Sequence, residues 1–230
     1  MAHKIAIKKM TKLILLQFFL ITTSFGQSSS SFSGELIYSI TKIDVNNLQN
    51  GFGTDNPDAE EKLIIYAKDS LIKRVHFNSQ TGIQESIEHL THSKKILLLS
   101  IDSMNYAIQL PSEQKNELKQ IDSTYRLSKK CFPKMRFAGH KGKPMLLSHP
   151  MLNNKLFIWF SKKIHAKYNA AYQQLPGLPL KYYIVSEKGL YLYELESLKY
   201  YDPPLSIFQV PIGFYILSLE DFLERIENKE

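Results

Sequence analysis

Between residues 62 and 110, apolar runs of five to eight residues recur, each separated from the next by a few turn formers. Runs this short suit strands rather than helices. Lys62 to Ala67 is followed across Lys68-Asp69-Ser70 by Leu71 to Phe77. Ser79 to Gly82 leads into Ile83 to Leu90, Ser93-Lys94-Lys95 into Ile96 to Ile101, and Asp102 to Asn105 into Tyr106 to Leu110. Turns of two to five residues make antiparallel neighbours the economical topology. The expectation is a β-meander.

The pattern extends in both directions. Phe32 to Ile43 is rich in β-branched and aromatic residues, with Leu36, Tyr38 and Ile40 on one side, and reads as the opening strand. Asp44 to Glu61 is polar and turn-rich and reads as a long loop. Its acids Asp58, Glu60 and Glu61 lack the spacing of a calcium loop, so a solvated loop is the simpler reading. Pro111 to Asp122 interrupts the strands with helix formers, as a short helix or an excursion. Further strands are expected at Thr124 to Ser128, Lys134 to Ala138, Met145 to His149 and Leu156 to Ser161, the last two joined through Asn153-Asn154. In Leu156 to Ser161, Phe157 and Trp159 share one face and Ile158 and Phe160 the other. Such a strand is either central and covered on both sides or lines a cavity.

Asn169 to Val185 contains Leu175-Pro176-Gly177-Leu178 and then an apolar, aromatic strand, Leu180 to Val185. Pro176 presets φ for the second position of a turn, and Gly177 can take the positive φ of a type II turn. Pro179 cannot donate to a ladder, which argues for the start of an edge strand. Leu190 to Leu198 then alternates cleanly, Tyr191, Tyr193, Leu195 and Ser197 against Leu192, Glu194 and Glu196, as a half-exposed antiparallel strand does. Asp202-Pro203-Pro204 ends it, Phe208 to Val210 resumes a strand, and Pro211 to Tyr215 closes the sheet. Ser218 with Asp221 three residues on forms a capping box before Leu219, Phe222, Leu223 and Ile226, an amphipathic C-terminal helix that needs a sheet face.

The first residues have the form of an export leader. Lys4, Lys8, Lys9 and Lys12 precede a short apolar run from Leu13 to Ile21, and Ser24-Phe25-Gly26 offers small residues at a cleavage site. The expected organisation is a cleaved signal peptide over residues 1–26 and a single exported antiparallel β domain over residues 27–230, periplasmic or extracellular. No cysteine at the cleavage site offers a lipid anchor, and no later run has transmembrane length. The one cysteine, Cys131, allows no internal disulfide.

Removing the leader's four lysines leaves +3 of the formal +7. From Ser123 to Ser186 there are twelve Lys and Arg and no Asp or Glu. Such a block can meet anionic partners, including an anionic membrane surface, or simply protect strand edges.

Chemistry-bearing motifs are sparse. There is no nucleophile elbow, zinc-protease helix, dinucleotide fingerprint or phosphate loop, and Gly139-His140-Lys141-Gly142-Lys143 reads as a β-turn. His89 and His92 lie three apart, with His76 on a neighbouring strand. Three apart in a strand means opposite faces, so no metal site is expected. Glu194 and Glu196 share a strand face without a cleft. No cofactor is implied, no recognition helix points to nucleic acid, and no enzymatic activity is expected.

Leu175-Pro176-Gly177-Leu178 resembles the motif that names the GLPGLI family of exported Bacteroidetes proteins, with Gln174 where that motif has its first glycine and Pro179 where it has isoleucine. Gly177-Leu178-Pro179-Leu180 is similar to related exported domains grouped with LolA-like lipoprotein carriers. Ser33 to Tyr38, Ala138 to Lys141 with Ile158 to Ser161, and Phe208 to Tyr215 resemble the family's opening strand, central turn with aromatic strand, and closing segment. The resemblance implies a mainly β (α+β) fold: a curved antiparallel sheet or half-barrel wrapped around a few helices. It implies no catalytic residues. Two functions then suit the chain. One is a binding or carrier module whose aromatic face (Phe157, Trp159, Tyr182, Tyr191, Tyr193) holds a lipid or other apolar ligand under the terminal helix. The other is a structural module with a filled core that docks an envelope protein.

Overall fold

The computed structural model describes residues 31–43, 61–78, 82–101, 103–111, 125–130, 132–186 and 189–228. The leader, the loop from Asp44, the Pro111 to Asp122 excursion beyond its first residue, and Cys131 lie outside the described residues.

Among the described residues, thirteen strands form one sheet. They are β1 (Ser33–Ile43), β2 (Glu61–Lys68), β3 (Leu71–Asn78), β4 (Gly82–His89), β5 (Lys94–Ile101), β6 (Met104–Leu110), β7 (Arg126–Lys129), β8 (Met135–Phe137), β9 (His140–Ser148), β10 (Leu156–Ser161), β11 (Leu178–Ser186), β12 (Gly189–Tyr200) and β13 (Tyr215–Ser218). The spatial order is β13-β6-β5-β4-β3-β2-β1-β12-β11-β10-β9-β7, with β8 paired to β9. The sheet is curved and unclosed. The meander forms as its turn spacing predicts, with Lys68 opposite Leu71, Asn78 opposite Gly82 and Ile101 opposite Met104.

Several expectations are corrected. The closing segment is not a strand at Phe208 to Val210; Leu205–Phe208 is a 3₁₀ turn, and the strand comes later, as β13. That strand runs parallel to β6, the one parallel ladder among the described residues. Pro203, Pro204 and Pro211 explain the shift, since three missing N–H groups in nine residues leave no ladder to extend. Pro179 stands in an interior strand, between β10 and β12, and is tolerated because the β10/β11 register slips there, between Trp159 and Phe160. Gly177 does not take a positive φ. Glycine is required there for a close approach: a Cβ would lie 2.0 Å from the Ser161 carbonyl oxygen.

Cross-strand register assigns each side chain to one of two faces. On the first face lie Leu36, Tyr38, Ile65, Ile72, Tyr182 and Tyr193. They are covered not by a helix but by the loop between β10 and β11, whose Ile164, Ala166, Tyr168, Tyr172 and Leu175 are buried in the same cluster. The α-helix α1 (Leu219–Glu227) covers that face at the β6/β13 end. Ser218 Oγ accepts the Asp221 N–H at 3.0 Å, as the capping box predicts. Only Phe222 of the expected stripe is buried; Leu223 and Ile226 are exposed.

On the second face, residues 201–214 cross from β12 towards β6 as a strap. Phe208 and Ile207 pack against Ile87, Leu98, Ala107 and Tyr66. At the other end of this face the β8/β9 hairpin brings Phe137 to 5.7 Å from the Trp159 ring. Its two-residue turn has positive φ at both Ala138 and Gly139, the geometry that joins tightly twisted strands. All six residues of β10 are buried, so that strand is covered on both sides. The same covering buries Leu190 and Leu192 in β12, which is therefore less exposed than its alternation suggests.

Candidate functional site

The five aromatic residues expected to share one hollow do not. Lys181 pairs with both Trp159 and Glu194, whereas Tyr182 pairs with Tyr193, so Phe157 and Trp159 point to the opposite face from Tyr182, Tyr191 and Tyr193. The register slip beside Pro179 leaves the two sets on opposite sides. Phe157 packs on Phe132 with ring centres 4.2 Å apart, and Phe132 and Phe137 enclose Trp159. On the other face Tyr182 stacks on Tyr193 at 4.8 Å and meets Tyr38 and Tyr172 edge-on. Asn169, buried in the β10/β11 loop, hydrogen-bonds with Tyr38 and Tyr182. Burial raises the Tyr38 and Tyr182 phenols well above their ordinary value, and burial followed by the nearby Glu61 charge pushes Tyr193 up to about 12. The helix is not a cover for this cluster. Its Phe222 rests on Tyr106, 5.4 Å between ring centres, in a separate cluster.

The turn motif is likewise structural. Leu175 and Leu178 are buried, Pro176 is exposed, and the Leu178 N–H donates to the Ile164 carbonyl at 2.8 Å. His89 and His92 do come together, with ring centres 4.3 Å apart, because the strand ends at His89 and the turn folds His92 back. His76 belongs to the other face by register, opposite Leu63 where His89 is opposite Leu71. Among the described residues no group of three or more potential metal ligands occurs. Glu194 and Glu196 each meet a lysine, Lys181 at 2.7 Å and Lys62 at 3.5 Å.

A groove of about 480 Å³ lies instead beneath the strap. Its floor is the second face of β2, β3 and β4: Ile64, Tyr66, Lys73, Val75, Phe77 and Glu85. Strand alternation places all six on one side, since Ile64 is opposite Val75, Tyr66 opposite Lys73 and Val75 opposite Glu85. Its wall is Ser206, Ile207 and Gln209 to Ile212. Phe208 anchors the strap in the core at the centre. Lys68 holds its beginning through Asp202 at 2.7 Å and the Pro203 carbonyl at 3.2 Å.

Charge in the groove is confined to a Lys73–Glu85 pair at 2.7 Å, both partners largely buried. Tyr66 adjoins it. Its phenol is raised above the usual range by burial first, then by the Glu35 charge and a hydrogen bond to Glu35. The groove thus combines apolar surface from Ile64, Val75, Phe77, Ile207, Val210 and Ile212 with polar groups on its floor, Lys73, Glu85 and Tyr66, and on its wall, Ser206 and Gln209. The sequence alone does not reveal it, because Phe208 to Val210, part of its wall, reads as a strand. The signal was present in Pro203, Pro204, Pro211 and Gly213, which together rule out an ordinary strand.

No family model matches the chain, and neither curated proteins nor solved structures gave a match.

Proposed function

We propose that the chain is a non-catalytic binding or carrier module of the cell envelope, whose groove beneath the strap takes an acyl chain or similar apolar ligand with one polar end group. The observation that carries this reading is the groove itself. Its volume, about 480 Å³, falls in the range of about 300–1,000 Å³ typical of small-molecule sites. Ile64, Val75, Phe77, Ile207 and Val210 supply the apolar lining, and Lys73, Glu85 and Tyr66 supply the polar end. The likeness to the GLPGLI family and to LolA-like half-barrels supports a carrier, and the leader-like residues 1–26 support export to the periplasm or beyond.

The test is displacement of a fluorescent fatty acid from the chain and from Val75→Trp and Ile207→Trp, which fill the groove. The expected result is binding to the parent and at least about tenfold weaker binding to either variant. Absence of binding to the parent, or equal binding to the filled variants, refutes the reading. The alternative, a structural module that docks an envelope protein, is favoured by one observation: Phe157, Trp159 and Tyr182 are filled in by the chain's own residues.

A further inference from the structure

The acid-free stretch from Ser123 to Ser186 supplies β7 to β11. Within it, register brings four cations to one side of a continuous ribbon. Arg136 of β8 stands directly opposite Lys141 of β9. Lys143 is two residues further along β9 on the same side, and Met145, two further again, stands opposite Lys129 of β7. All four cationic residues are exposed, and none forms an ion pair among the described residues. Like charges directly opposite each other destabilise a strand pair. The Arg136 guanidinium is also held in place, donating to the Gly139 carbonyl at 2.9 Å. A sheet edge can be protected by single lysines; that function does not require two cations face to face.

We infer that this side of the ribbon formed by β7, β8 and β9, carrying Lys129, Arg136, Lys141 and Lys143, is a docking surface for an anionic bilayer. The partner is extended rather than a small anion, because the four charges spread over three strands. A bilayer fits better than a single-stranded nucleic acid, which stacks its bases on exposed rings. Here Phe137, Phe157 and Trp159 are buried, on the side of the ribbon opposite the four cations, and the partly buried Phe132 packs on Phe157 and Trp159. This reading is independent of the groove, which lies on other strands.

The test is co-sedimentation of the full chain with vesicles of mixed phosphatidylglycerol and phosphatidylcholine, compared with pure phosphatidylcholine. Any contribution of residues 1–26 is common to all variants. The expected result is binding to the anionic vesicles only, weakening as salt rises. Each of Lys129→Gln, Arg136→Gln, Lys141→Gln and Lys143→Gln should weaken it about fivefold. Lys94→Gln, an exposed lysine at the start of the interior strand β5, should leave it unchanged. Lys141→Glu should abolish most binding while thermal stability holds or rises, because it replaces a repulsive pair with an attractive one. Equal binding to neutral vesicles, or variants that bind like the parent, overturns the inference. So does binding to heparin or nucleic acid without binding to vesicles, which reassigns the surface to a soluble polyanion.

Discussion

The Tyr168 hydroxyl accepts the backbone N–H of Phe32 at 2.7 Å, joining residues 136 positions apart, and donates to the Asp69 carbonyl at 3.1 Å. One side chain of the β10/β11 loop thereby ties together the beginning of β1 and the β2/β3 turn. Tyr168→Phe removes the oxygen and leaves the buried Phe32 N–H without its acceptor. We expect a loss of about 1–3 kcal/mol, measured by urea unfolding. A change within error would show that this tie is dispensable.

Gly177 and Gly139 are glycines for different reasons, and alanine should separate them. At Gly177 a Cβ would meet the Ser161 and Lys162 backbone at 2.0 to 2.8 Å, so two chain segments must part. At Gly139 the space is open, and the obstacle is a φ of +77°. Gly139→Ala should cost about 1 kcal/mol, and Gly177→Ala about 3 kcal/mol or more. The reverse order in chemical denaturation would contradict the close approach.

Alkaline pH should unfold the chain. Tyr38, Tyr182 and Tyr193 have folded pKa values raised above the ordinary 10.0, with Tyr193 at about 12. Above pH 10 the unfolded chain releases protons that the folded chain retains, so the stability these groups contribute is complete below pH 10 and is lost as pH rises. Three such groups give a slope of up to about 4 kcal/mol per pH unit. Phenolate absorbance of these tyrosines should therefore appear together with loss of structure. Their smooth ionisation near pH 10 in a still-folded chain would contradict their burial.

Arg74 and Glu88 form a buried pair on the first face at 2.7 Å, with about a tenth of each side chain exposed. Glu88→Gln strands the guanidinium, whose other contact is the Tyr168 carbonyl at 3.5 Å. The expected cost is of order 3 kcal/mol. The double variant Arg74→Met, Glu88→Leu should cost less than the two single changes combined. Additive losses would show that the pair is not coupled.

The meander was legible because strand length and turn spacing are local properties. Leu156 to Ser161 reads as a strand with both faces apolar, and the structure covers both. What covers them was not legible. The β10/β11 loop carries no periodic pattern, and its packing depends on contacts such as Tyr168 to Phe32 that no local signal encodes. The split of the aromatic set had one local cause, the register slip beside Pro179, which reads in sequence only as a missing donor. The groove depends on a chain crossing between β12 and β13, and its prolines mark where a strand cannot be without saying where the chain goes.

The groove is tested most directly by adding a nitroxide-labelled fatty acid to the methyl-labelled chain and following methyl resonances by NMR. The account predicts broadening of Ile64, Val75, Ile207, Val210 and Ile212, with Leu36, Leu156 and Ile158 unchanged. Broadening centred on the β10 and β1 methyls, or none at saturating probe, would contradict it.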